Sequence, residues 1–393
     1  MSKIVIVGAG YAGMMAATRL ERLAEPFTII NKHAYHYFTT LLHEAAGGRG
    51  EPDKYRVDIK EVLAKPSSEL VVTEVTGIDR ERRVVRTEAG EFPYEYLVFT
   101  LGWVPEYFGI PGLAEHSLVL RSLNAAKQIR SHIEREFRQY REDQNPVHLR
   151  IVVGGAGLTG VELVGELLDW LPELCMTLGV PWDHVEVQNI EAMPMILPMV
   201  AENLREVAAR TLTEKGAKLR INTKIVQVTP GRVHLEGGEV VEAGTIIWTG
   251  GVRANPLLEQ AGFTVDRRGR AKVNEYLQSV DDPHVFVGGD SAWCDGPDGR
   301  PYPPTAQVAS QMGRAIADNV HALVHGRPMK PFQAHLKGTL ASLGRELGVG
   351  DMVGVPVKGV VAAVAKEASK VKYLLELGGV RLAAAKSGEL VHL

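Results

Sequence analysis

KIVIVGAGYAG, residues 3–13, is the stretch that decides the fold of the first part of the chain. The apolar run from Lys3 to Val7 is typical of a buried strand, and the residues from Tyr11 to Leu23 follow helical spacing. Between them, glycines stand where a chain must turn tightly, approach a pyrophosphate and pack a helix closely against a strand. With a further strand from Phe27 to Ile30, the pattern predicts a right-handed βαβ unit that binds a dinucleotide.

The same pattern returns in the middle of the chain. The glycine turn from Gly155 to Gly160 follows a predicted strand, residues 149–153, and precedes a predicted helix, residues 161–171. Glu191 ends the next strand, residues 185–190, where a carboxylate accepts hydrogen bonds from a ribose diol and repels a 2′-phosphate. The second unit is therefore predicted to prefer NADH to NADPH, although Glu191 could also be a solvated strand-end acid. The equivalent residue of the first unit is Asn31, followed by Lys32.

The remaining periodicity predicts an α/β fold with two Rossmann-like dinucleotide-binding domains and a C-terminal membrane-associating segment. Residues 1–110 and 262–327 are predicted to form one discontinuous domain, residues 111–261 the second, and residues 328–393 the C-terminal region. Further strands are predicted at residues 70–76, 83–87, 96–101, 232–235, 245–249 and 285–287, with strands also around residues 219–228. Further helices are predicted at residues 122–140, 203–215 and 305–325.

Composition narrows the class of protein. Apolar residues make up 45% of the chain, charged residues 23%, and the net charge is −3, so nothing favours nucleic acid as a partner. The two cysteines, Cys175 and Cys294, are far apart in the sequence, which predicts neither a disulfide framework nor a dithiol centre, and no metal site is predicted. The start of the chain runs directly into a strand and no eighteen consecutive residues are apolar, so we expect a protein that is neither secreted nor membrane-spanning.

A third motif lies after the strand at residues 285–287. Gly288 and Gly289 precede Asp290, whose carboxylate has the position expected to accept hydrogen bonds from the ribityl hydroxyls of FAD, although it could be an ordinary turn aspartate. In chain order, the first glycine turn, the strand end at Thr100-Leu101-Gly102, the second glycine turn and Asp290 resemble the flavoproteins with two dinucleotide-binding domains.

Within that superfamily the sequence resembles the type II NADH dehydrogenases, single-subunit NADH:quinone oxidoreductases of respiratory membranes. The resemblance runs nearly end to end and is carried by residues 31–32, 35–38, 154–162, 248–253, 304–309 and 338–344. It implies tightly bound FAD, with NADH and a quinone as substrates. The cofactor contacts that it implies are Gly8, Ala9, Gly10, Tyr11, Ala12, Gly13, Asn31, Lys32, Val75, Gly102, Asp290, Ala306 and Lys366 for FAD, and Gly155, Gly157, Gly160, Glu191 and Gly251 on the NADH side.

The resemblance also implies catalytic roles. Glu162, expected in the first turn of its helix, is placed between nicotinamide and flavin for gating or proton handling, or it merely complements the helix dipole. Glu166 is expected to be scaffold. Thr305 is expected to cap a long helix whose first turn brings Gln307 to a quinone carbonyl, with Gln311 on the same face or simply on the surface. Lys366 is expected to reach the flavin or to remain a solvated lysine.

The C-terminal region is predicted to contain an amphipathic helix, residues 360–377, and a short segment, residues 380–385. Apolar residues recur at helical spacing and Lys366, Lys370 and Lys372 make the helix basic, which suits a membrane interface, although the helix could pack on the protein itself. We expect a peripheral enzyme on the cytoplasmic side of the inner membrane that does not pump protons, with a homodimer left open. The alternatives are a sulfide:quinone oxidoreductase, which needs reactive cysteines, and a non-catalytic flavoprotein that senses NADH.

Overall fold

The N-terminal part of the chain forms a parallel sheet covered by helices. A computed structural model describes residues 3–391 of the protein. The elements of this part, in chain order, are β1 (Ile4–Val7), α1 (Tyr11–Arg22), β2 (Phe27–Asn31), β3 (Tyr35–Tyr37), α2 (Leu42–Ala46), β4 (Arg56–Asp58), α3 (Ile59–Val62), β5 (Ser68–Val72), β6 (Val75–Asp79), β7 (Val84–Thr87), β8 (Gly90–Pro93), β9 (Tyr96–Phe99) and β10 (Trp103–Pro105).

The middle part repeats the architecture. Its elements are α4 (Leu113–His116), β11 (Leu118–Val119), α5 (Leu123–Asp143), β12 (Arg150–Gly154), α6 (Leu158–Leu178), β13 (Glu186–Ile190), α7 (Glu202–Glu214), β14 (Ala217–Arg220), β15 (Ile225–Thr229), β16 (Arg232–Leu235), β17 (Val240–Glu242), β18 (Thr245–Trp248) and β19 (Val252–Ala254).

The chain then returns to the first sheet and ends in a three-stranded antiparallel sheet and a helix. The last elements are α8 (Leu257–Gln260), β20 (Ala271–Lys272), β21 (Val285–Val287), β22 (Ala292–Trp293), α9 (Ala306–Val324), β23 (Leu340–Ser342), β24 (Gly348–Met352), β25 (Val355–Gly359) and α10 (Val360–Leu390). Short 3₁₀ turns lie at Thr39–Leu41, Pro52–Tyr55, Pro146–Leu149, Trp182–His184 and Gly289–Ser291.

Two parallel sheets of five strands organise the molecule. The first has the order β21-β9-β1-β2-β5, and the second has the order β11-β18-β12-β13-β14. In each, the strand before a glycine turn lies at the centre, so that the turn emerges at the carboxyl edge where ligands of such sheets bind. The central strands β1 and β12 are buried, apart from the half-buried Arg150 at the start of β12, as is typical of parallel sheets whose two faces are both covered.

Antiparallel segments connect the sheets. Each sheet is accompanied by a three-stranded antiparallel sheet, β6-β7-β8 in the first part and β15-β16-β17 in the second. The two chain segments that pass between the parts, β10 and β19, pair with each other antiparallel. Strand β21 rejoins the first sheet beside β9, which brings residues near 290 to the first glycine turn. The predicted α/β fold with two Rossmann-like domains is confirmed, while the domain boundaries and the membrane association of the C-terminal segment stay predictions.

Two predicted elements differ in the structure. Residues 70–76 do not form one strand, because β5 pairs with β2 in the parallel sheet whereas β6 pairs with β7 in the antiparallel one, and the chain bends between them. The helix predicted at residues 161–171 is longer, since α6 begins at Leu158 and continues past Pro172 to Leu178. Glu162 therefore lies in the second turn of α6 and not in the first.

The C-terminal helix is interrupted where the sequence has two glycines. Helix α10 is bent at Gly379, whose φ of 70° is non-helical, so that its two halves correspond to the predicted helix and the predicted short segment. Within residues 3–391 no helix combines the length and the apolar character that crossing a membrane requires.

Candidate active site

The first glycine turn is shaped by backbone contacts and leaves one face open. A side chain at Gly8, whose φ is 92°, would place its Cβ 2.6 Å from the Thr100 carbonyl oxygen, and a Cβ on Gly13 would lie 1.9 Å from the Gly8 oxygen. A Cβ on Gly10, by contrast, would meet no atom within 4 Å. Two glycines thus close the turn, and Gly10 faces free space at the N-terminus of α1, where an anion is favoured.

The carboxyl edge of the first sheet supplies polar groups to this space. The Ala9 N–H donates to Asn31 Oδ1 at 3.0 Å, which fixes the side chain that ends β2. The next residue, Lys32, instead forms an exposed ion pair with Glu74, at 2.6 Å. Val75 is half-buried at the start of β6, and Gly102 offers its carbonyl oxygen to Ser291 Oγ at 2.8 Å.

Asp290 lies beside the first glycine turn. It lines a cavity together with Tyr302, Thr305 and Val308, and a Cβ on its neighbour Gly289 would stand 3.5 Å from the Ala12 Cβ. Burial raises the pKa of the Asp290 carboxyl to about 6, against the opposing effect of Arg270. Hydroxyl groups that donate to this carboxyl would restore its charged form. The open face of Gly10 and the carboxyl of Asp290 therefore fit the pyrophosphate and the ribityl chain of FAD.

The second glycine turn repeats the geometry of the first. A Cβ on Gly160 would lie 2.0 Å from the Gly155 oxygen, whereas a Cβ on Gly157 would meet no atom within 4 Å. Glu191 accepts hydrogen bonds from the Ala156 N–H at 2.7 Å and from the Met193 N–H at 2.8 Å.

Gly251 lies close to this turn without entering it. It directly follows Gly250, whose Cα stands 2.5 Å from the position of a Cβ on Gly155. The residues predicted for NADH thus gather at the carboxyl edge of the second sheet, and the cofactor contacts themselves stay predictions.

Glu162 and Lys366 meet across the chain. The Lys366 ammonium group binds Glu162 Oε1 and donates to Ser342 Oγ at 3.0 Å. Glu162 Oε1 also accepts from the Ser342 N–H at 3.1 Å, and its other oxygen lies 3.5 Å from His43 Nδ1. Glu162, His43 and Ser342 are buried, and the Lys366 side chain is only 13% exposed. The solvated lysine considered for Lys366 is therefore wrong, and α6 is joined to β23 and α10 by this pair.

A buried ion network lies one helical turn further along α6. Arg49 forms a two-pronged ion pair with Glu166, and Lys370 contacts Glu44 at 2.7 Å and Glu367 at 2.8 Å. Burial raises the pKa of Glu166 to about 7 and outweighs the opposing effect of Arg49. Since the Lys370 side chain is only 4% exposed, it cannot contribute to a basic surface, and that part of the expectation for α10 was wrong.

Gln307 and Gln311 hold the segment that follows α9. Gln307 Nε2 donates to the Gly338 carbonyl at 2.9 Å and its Oε1 accepts from the Lys337 N–H at 2.9 Å. Gln311 makes the same kind of contact with the backbone of His335, at 3.1 and 2.9 Å. The predicted cap is confirmed, because the Val308 N–H donates to Thr305 Oγ1 at 3.4 Å. Ala306, the first residue of α9, packs beside Tyr11 and Ala12.

Sequence reasoning missed the residues that connect α10 to the first glycine turn. The Tyr373 ring packs at an angle of 53° against Tyr11, with the ring centroids 4.5 Å apart. Its hydroxyl lies 3.0 Å from His36 Nε2, while His36 Nδ1 lies 2.8 Å from the Ala9 oxygen. Burial lowers the pKa of His36 to about 4, so the imidazole is neutral at pH 7. The resemblance pointed to the segment that contains His36, but nothing in the sequence distinguishes Tyr373 from other residues of α10.

The cysteines are unsuited to sulfur chemistry. Cys175 and Cys294 are both buried and unpaired, and burial raises the pKa of each thiol to about 11. A sulfide:quinone oxidoreductase needs reactive thiolates next to its flavin, and a buried thiol with a raised pKa is inert. The structure therefore does not favour that alternative.

Two dinucleotide-binding modules in one chain, with a carboxylate placed for the ribityl group of a flavin, define a flavoprotein of the pyridine nucleotide-dependent class. In agreement, residues 2–313 match the pyridine nucleotide-disulphide oxidoreductase family, to which the chain belongs. Type II NADH:quinone oxidoreductases from Staphylococcus epidermidis and Staphylococcus aureus are each 37% identical to it over 97% of both chains. Within the larger family, the chain thus belongs to the type II NADH:quinone oxidoreductases, as the sequence predicted.

Solved structures agree on the fold. The structure of NDH2 from Plasmodium falciparum in complex with NADH covers 99% of this chain and 98% of its own, with a TM-score of 0.88 and 17% identity. The sulfide:quinone oxidoreductase from Aquifex aeolicus covers 95% of this chain and 91% of its own, with a TM-score of 0.76 and 19% identity.

Proposed function

We propose that the protein is an NADH:quinone oxidoreductase that works at a membrane surface. The observation that carries this function is the pair of matched glycine turns, each with an open face at a helix N-terminus, the first hydrogen-bonded to Asn31 and the second to Glu191. Bound FAD supplies the two-electron acceptor that takes hydride from NADH and passes electrons to quinone.

The protein's own residues divide the binding of the two dinucleotides. The first turn, Asn31 and Asp290 hold FAD, since an amide and a carboxyl there accept hydrogen bonds from hydroxyl groups. The second turn and Glu191 hold NADH, and the Glu191 carboxylate excludes the 2′-phosphate of NADPH.

Glu162 and Lys366 form the link between the nucleotide module and the C-terminal region. Reduction of a quinone by NADH takes up one proton in addition to the transferred hydride, so a protonated group near the site can supply that proton. Lys366 Nζ holds protons between Glu162 Oε1 and Ser342 Oγ, in a buried position where only a few groups can exchange them. We assign proton delivery to Glu162 and Lys366. Ser342 and the aliphatic part of the Lys366 side chain hold the two charged groups in position.

The quinone enters beside Gln307. The Gln307 amide binds the backbone at Lys337 and Gly338, next to Leu336, which is 50% exposed. The Val353 N–H, at the tip of the hairpin β24–β25, donates to the Lys337 oxygen at 3.2 Å, and Val353 is 76% exposed. An apolar rim thus lies one residue from the Gln307 contacts, where an apolar quinone leaving a bilayer would arrive.

Helix α10 turns charged residues towards the protein and exposes apolar residues on its outer face. Its inner face carries Lys366, Glu367 and Lys370, which form ion pairs with the protein, as described above. Its outer face carries an apolar stripe at helical spacing, of which Val361 is 64% exposed, Val364 45% and Leu375 43%. Soluble proteins rarely place apolar residues outside and charges inside, and the stripe fits the lipid interface. The stripe supports a place at a membrane surface, and the cytoplasmic face of the inner membrane is proposed from the resemblance to the respiratory enzymes.

One set of measurements tests the proposed function. The purified protein should show a flavin spectrum that NADH bleaches, and it should oxidise NADH faster than NADPH with soluble quinones. It should sediment with vesicles, and Val364→Asp should weaken sedimentation without changing the bleaching by NADH. Absence of flavin, preference for NADPH or a sulfide-dependent reduction of quinone would overturn the proposal, while slow turnover with every quinone would favour a sensor.

A further inference from the structure

Two histidines and a glutamate meet at the end of α9 remote from the cofactor turns. His321 and His325 lie one turn apart, and Glu25 follows α1. His321 Nδ1 is 2.6 Å and His325 Nε2 2.5 Å from the same Glu25 oxygen, and the imidazole centroids are 4.4 Å apart. One potential ligand atom of each of the three residues lies within 4.8 Å of the others.

We propose that Glu25, His321 and His325 bind a divalent transition-metal ion, with Zn²⁺ as the representative. Histidines four residues apart on one helix face, joined by a carboxylate from another element, supply two nitrogens and one oxygen, a ligand set that Zn²⁺ accepts. Mg²⁺ and Ca²⁺ prefer oxygen ligands alone and should not bind there. The spacing was visible in the sequence, but its third ligand lies almost 300 residues away.

The geometry needs only a small opening to accept the ion. Ligands about 2.0–2.1 Å from a tetrahedral Zn²⁺ stand about 3.3 Å from one another. The nitrogen-to-oxygen distances are 2.6 and 2.5 Å, so the imidazoles must retreat by less than about 1 Å. The His325 side chain is 44% exposed and can move, while the Glu25 side chain is 9% exposed and stays fixed by packing. Solvent on the His325 side completes the coordination.

The electrostatic setting favours a cation. Helices α1 and α9 both end next to the cluster, at Arg22 and at Val324, and His325 caps α9. The C-terminus of a helix carries partial negative charge, so two of them attract a positive ion. The two thiols of the chain are buried and do not compete for it.

The ion would join two helices whose other ends hold the flavin turn and Gln307. Helices α1 and α9 run side by side in the same direction: a Cβ on Gly313 would lie 2.1 Å from the Ala12 oxygen, and Arg19 pairs with Asp318 at 2.7 Å. The cluster lies about 18 Å from the start of α1, given a rise of about 1.5 Å per residue. At that distance it fastens the helices and takes no part in electron transfer, independently of the proposed function.

Calorimetric titration of the tag-free holoenzyme, stripped with a chelator, tests the site with Zn²⁺ alone and with Mg²⁺ alone. Glu25→Gln keeps an oxygen that accepts from both histidines, so it folds while losing the carboxylate ligand. His325→Ala removes one imidazole from a half-exposed position. His116→Ala, at an exposed position of α4, is the matched control.

The wild type and His116→Ala should bind one Zn²⁺ with a rise in Tm, and Mg²⁺ should give no heat. Glu25→Gln and His325→Ala should each bind roughly 10-fold more weakly or worse. Equal Zn²⁺ affinity in all four proteins, or no one-to-one binding by the wild type, would overturn the site. Either result leaves the flavin spectrum and the NADH activity as separate measurements, so neither decides the proposed function.

Discussion

Asn31 and Glu191 occupy equivalent positions in the two modules. Asn31 is the last residue of β2 and Glu191 directly follows β13, the second strands of the two βαβ units. Each accepts a hydrogen bond from the backbone N–H that follows the first glycine of its turn, at 3.0 Å from Ala9 and 2.7 Å from Ala156. The hydrogen-bond geometry is the same in the two modules, but the Asn31 side chain is neutral and the Glu191 side chain is an acid. The neutral Asn31 amide neither attracts nor repels a charged group next to it, whereas the Glu191 carboxylate repels a 2′-phosphate.

Glu191→Gln should weaken the discrimination against NADPH. The amide can still accept from the Ala156 N–H, but it no longer repels a 2′-phosphate, so kcat/KM for NADH should fall and the NADH-to-NADPH ratio should drop by about 10-fold. Steady-state kinetics with both nucleotides measure the ratio. Asn31→Asp, the matched change in the first module, should alter flavin retention and leave the ratio unchanged. An unaltered ratio in Glu191→Gln would mean that other groups read the ribose.

Gly10→Ala and Gly157→Ala should separate the two cofactors. Neither added methyl group meets a protein atom within 4 Å, so both variants fold, and each methyl group occupies only the space of a ligand. Gly10→Ala should lose flavin on purification, as measured by the ratio of absorbance at visible and ultraviolet wavelengths. Gly157→Ala should keep its flavin and show a KM for NADH raised by roughly 10-fold. Loss of flavin in Gly157→Ala, with a raised KM for NADH in Gly10→Ala, would mean that the second turn binds FAD and the first binds NADH.

Gln307→Ala should slow the reaction with quinone and spare the reaction with NADH. The substitution removes both side-chain contacts to residues 337–338 and any hydrogen bond to a quinone carbonyl, which together should cost roughly 10-fold or more in kcat/KM for quinone. Rapid-mixing measurements follow flavin reduction by NADH and reoxidation by quinone separately. Gln311→Ala removes the same amide one turn further on and should have a smaller effect. Slower reduction of the flavin by NADH in Gln307→Ala would show that Gln307 acts in the reaction with NADH and not in the reaction with quinone.

The sequence predicted those parts of the site that short stretches encode. Both glycine turns, the strand at residues 232–235 and the cap of α9 at Thr305 follow from local pattern, and the structure has them as expected. The prediction of one strand at residues 70–76 was wrong because this apolar run contributes to two different sheets. Hydrophobic periodicity does not indicate where the chain leaves one sheet and enters another. Lys370 was misread because its partner Glu44 lies more than 300 residues earlier in the chain. Whether a charged residue of a helix is buried against the rest of the protein depends on the tertiary structure, so it cannot be predicted from composition.

Glu162 and Lys366 should behave as one unit, although α6 and α10 are far apart in the sequence. Glu162→Gln or Lys366→Met leaves the remaining buried group without its charged partner, and each should reduce quinone turnover by roughly 10-fold or more. The double variant has no uncompensated charge and should be no slower than the slower single variant, with a coupling free energy of about 0.5–3 kcal/mol. The double-mutant cycle on kcat measures this coupling. Strictly additive effects would show that the two side chains act independently.

The neutral state of His36 makes the link between Tyr373 and the first glycine turn sensitive to acid. A single proton on Nδ1 lets the imidazole donate to the Ala9 oxygen and accept from the Tyr373 hydroxyl, and burial lowers its pKa to about 4. An unfolded histidine has a pKa of about 6.5, so between these values the unfolded chain binds a proton that the folded protein refuses. The stabilisation from His36 is therefore complete above pH 6.5 and is lost as the pH falls towards 4.

His36→Asn should reveal this dependence. Asparagine keeps a donor near the position of Nδ1 but does not titrate, so the variant should be less stable than the wild type at pH 8, and the difference should shrink by about 2 kcal/mol at pH 5. Denaturant unfolding of both holoenzymes at the two pH values measures the difference. The wild type and the variant should share whatever acid sensitivity remains, because burial also lowers the pKa of His43 well below its usual value. A stability difference that is the same at pH 8 and pH 5 would mean that His36 takes up its proton as readily in the folded protein as in the unfolded chain, and the neutral bridge to Tyr373 would then be wrong.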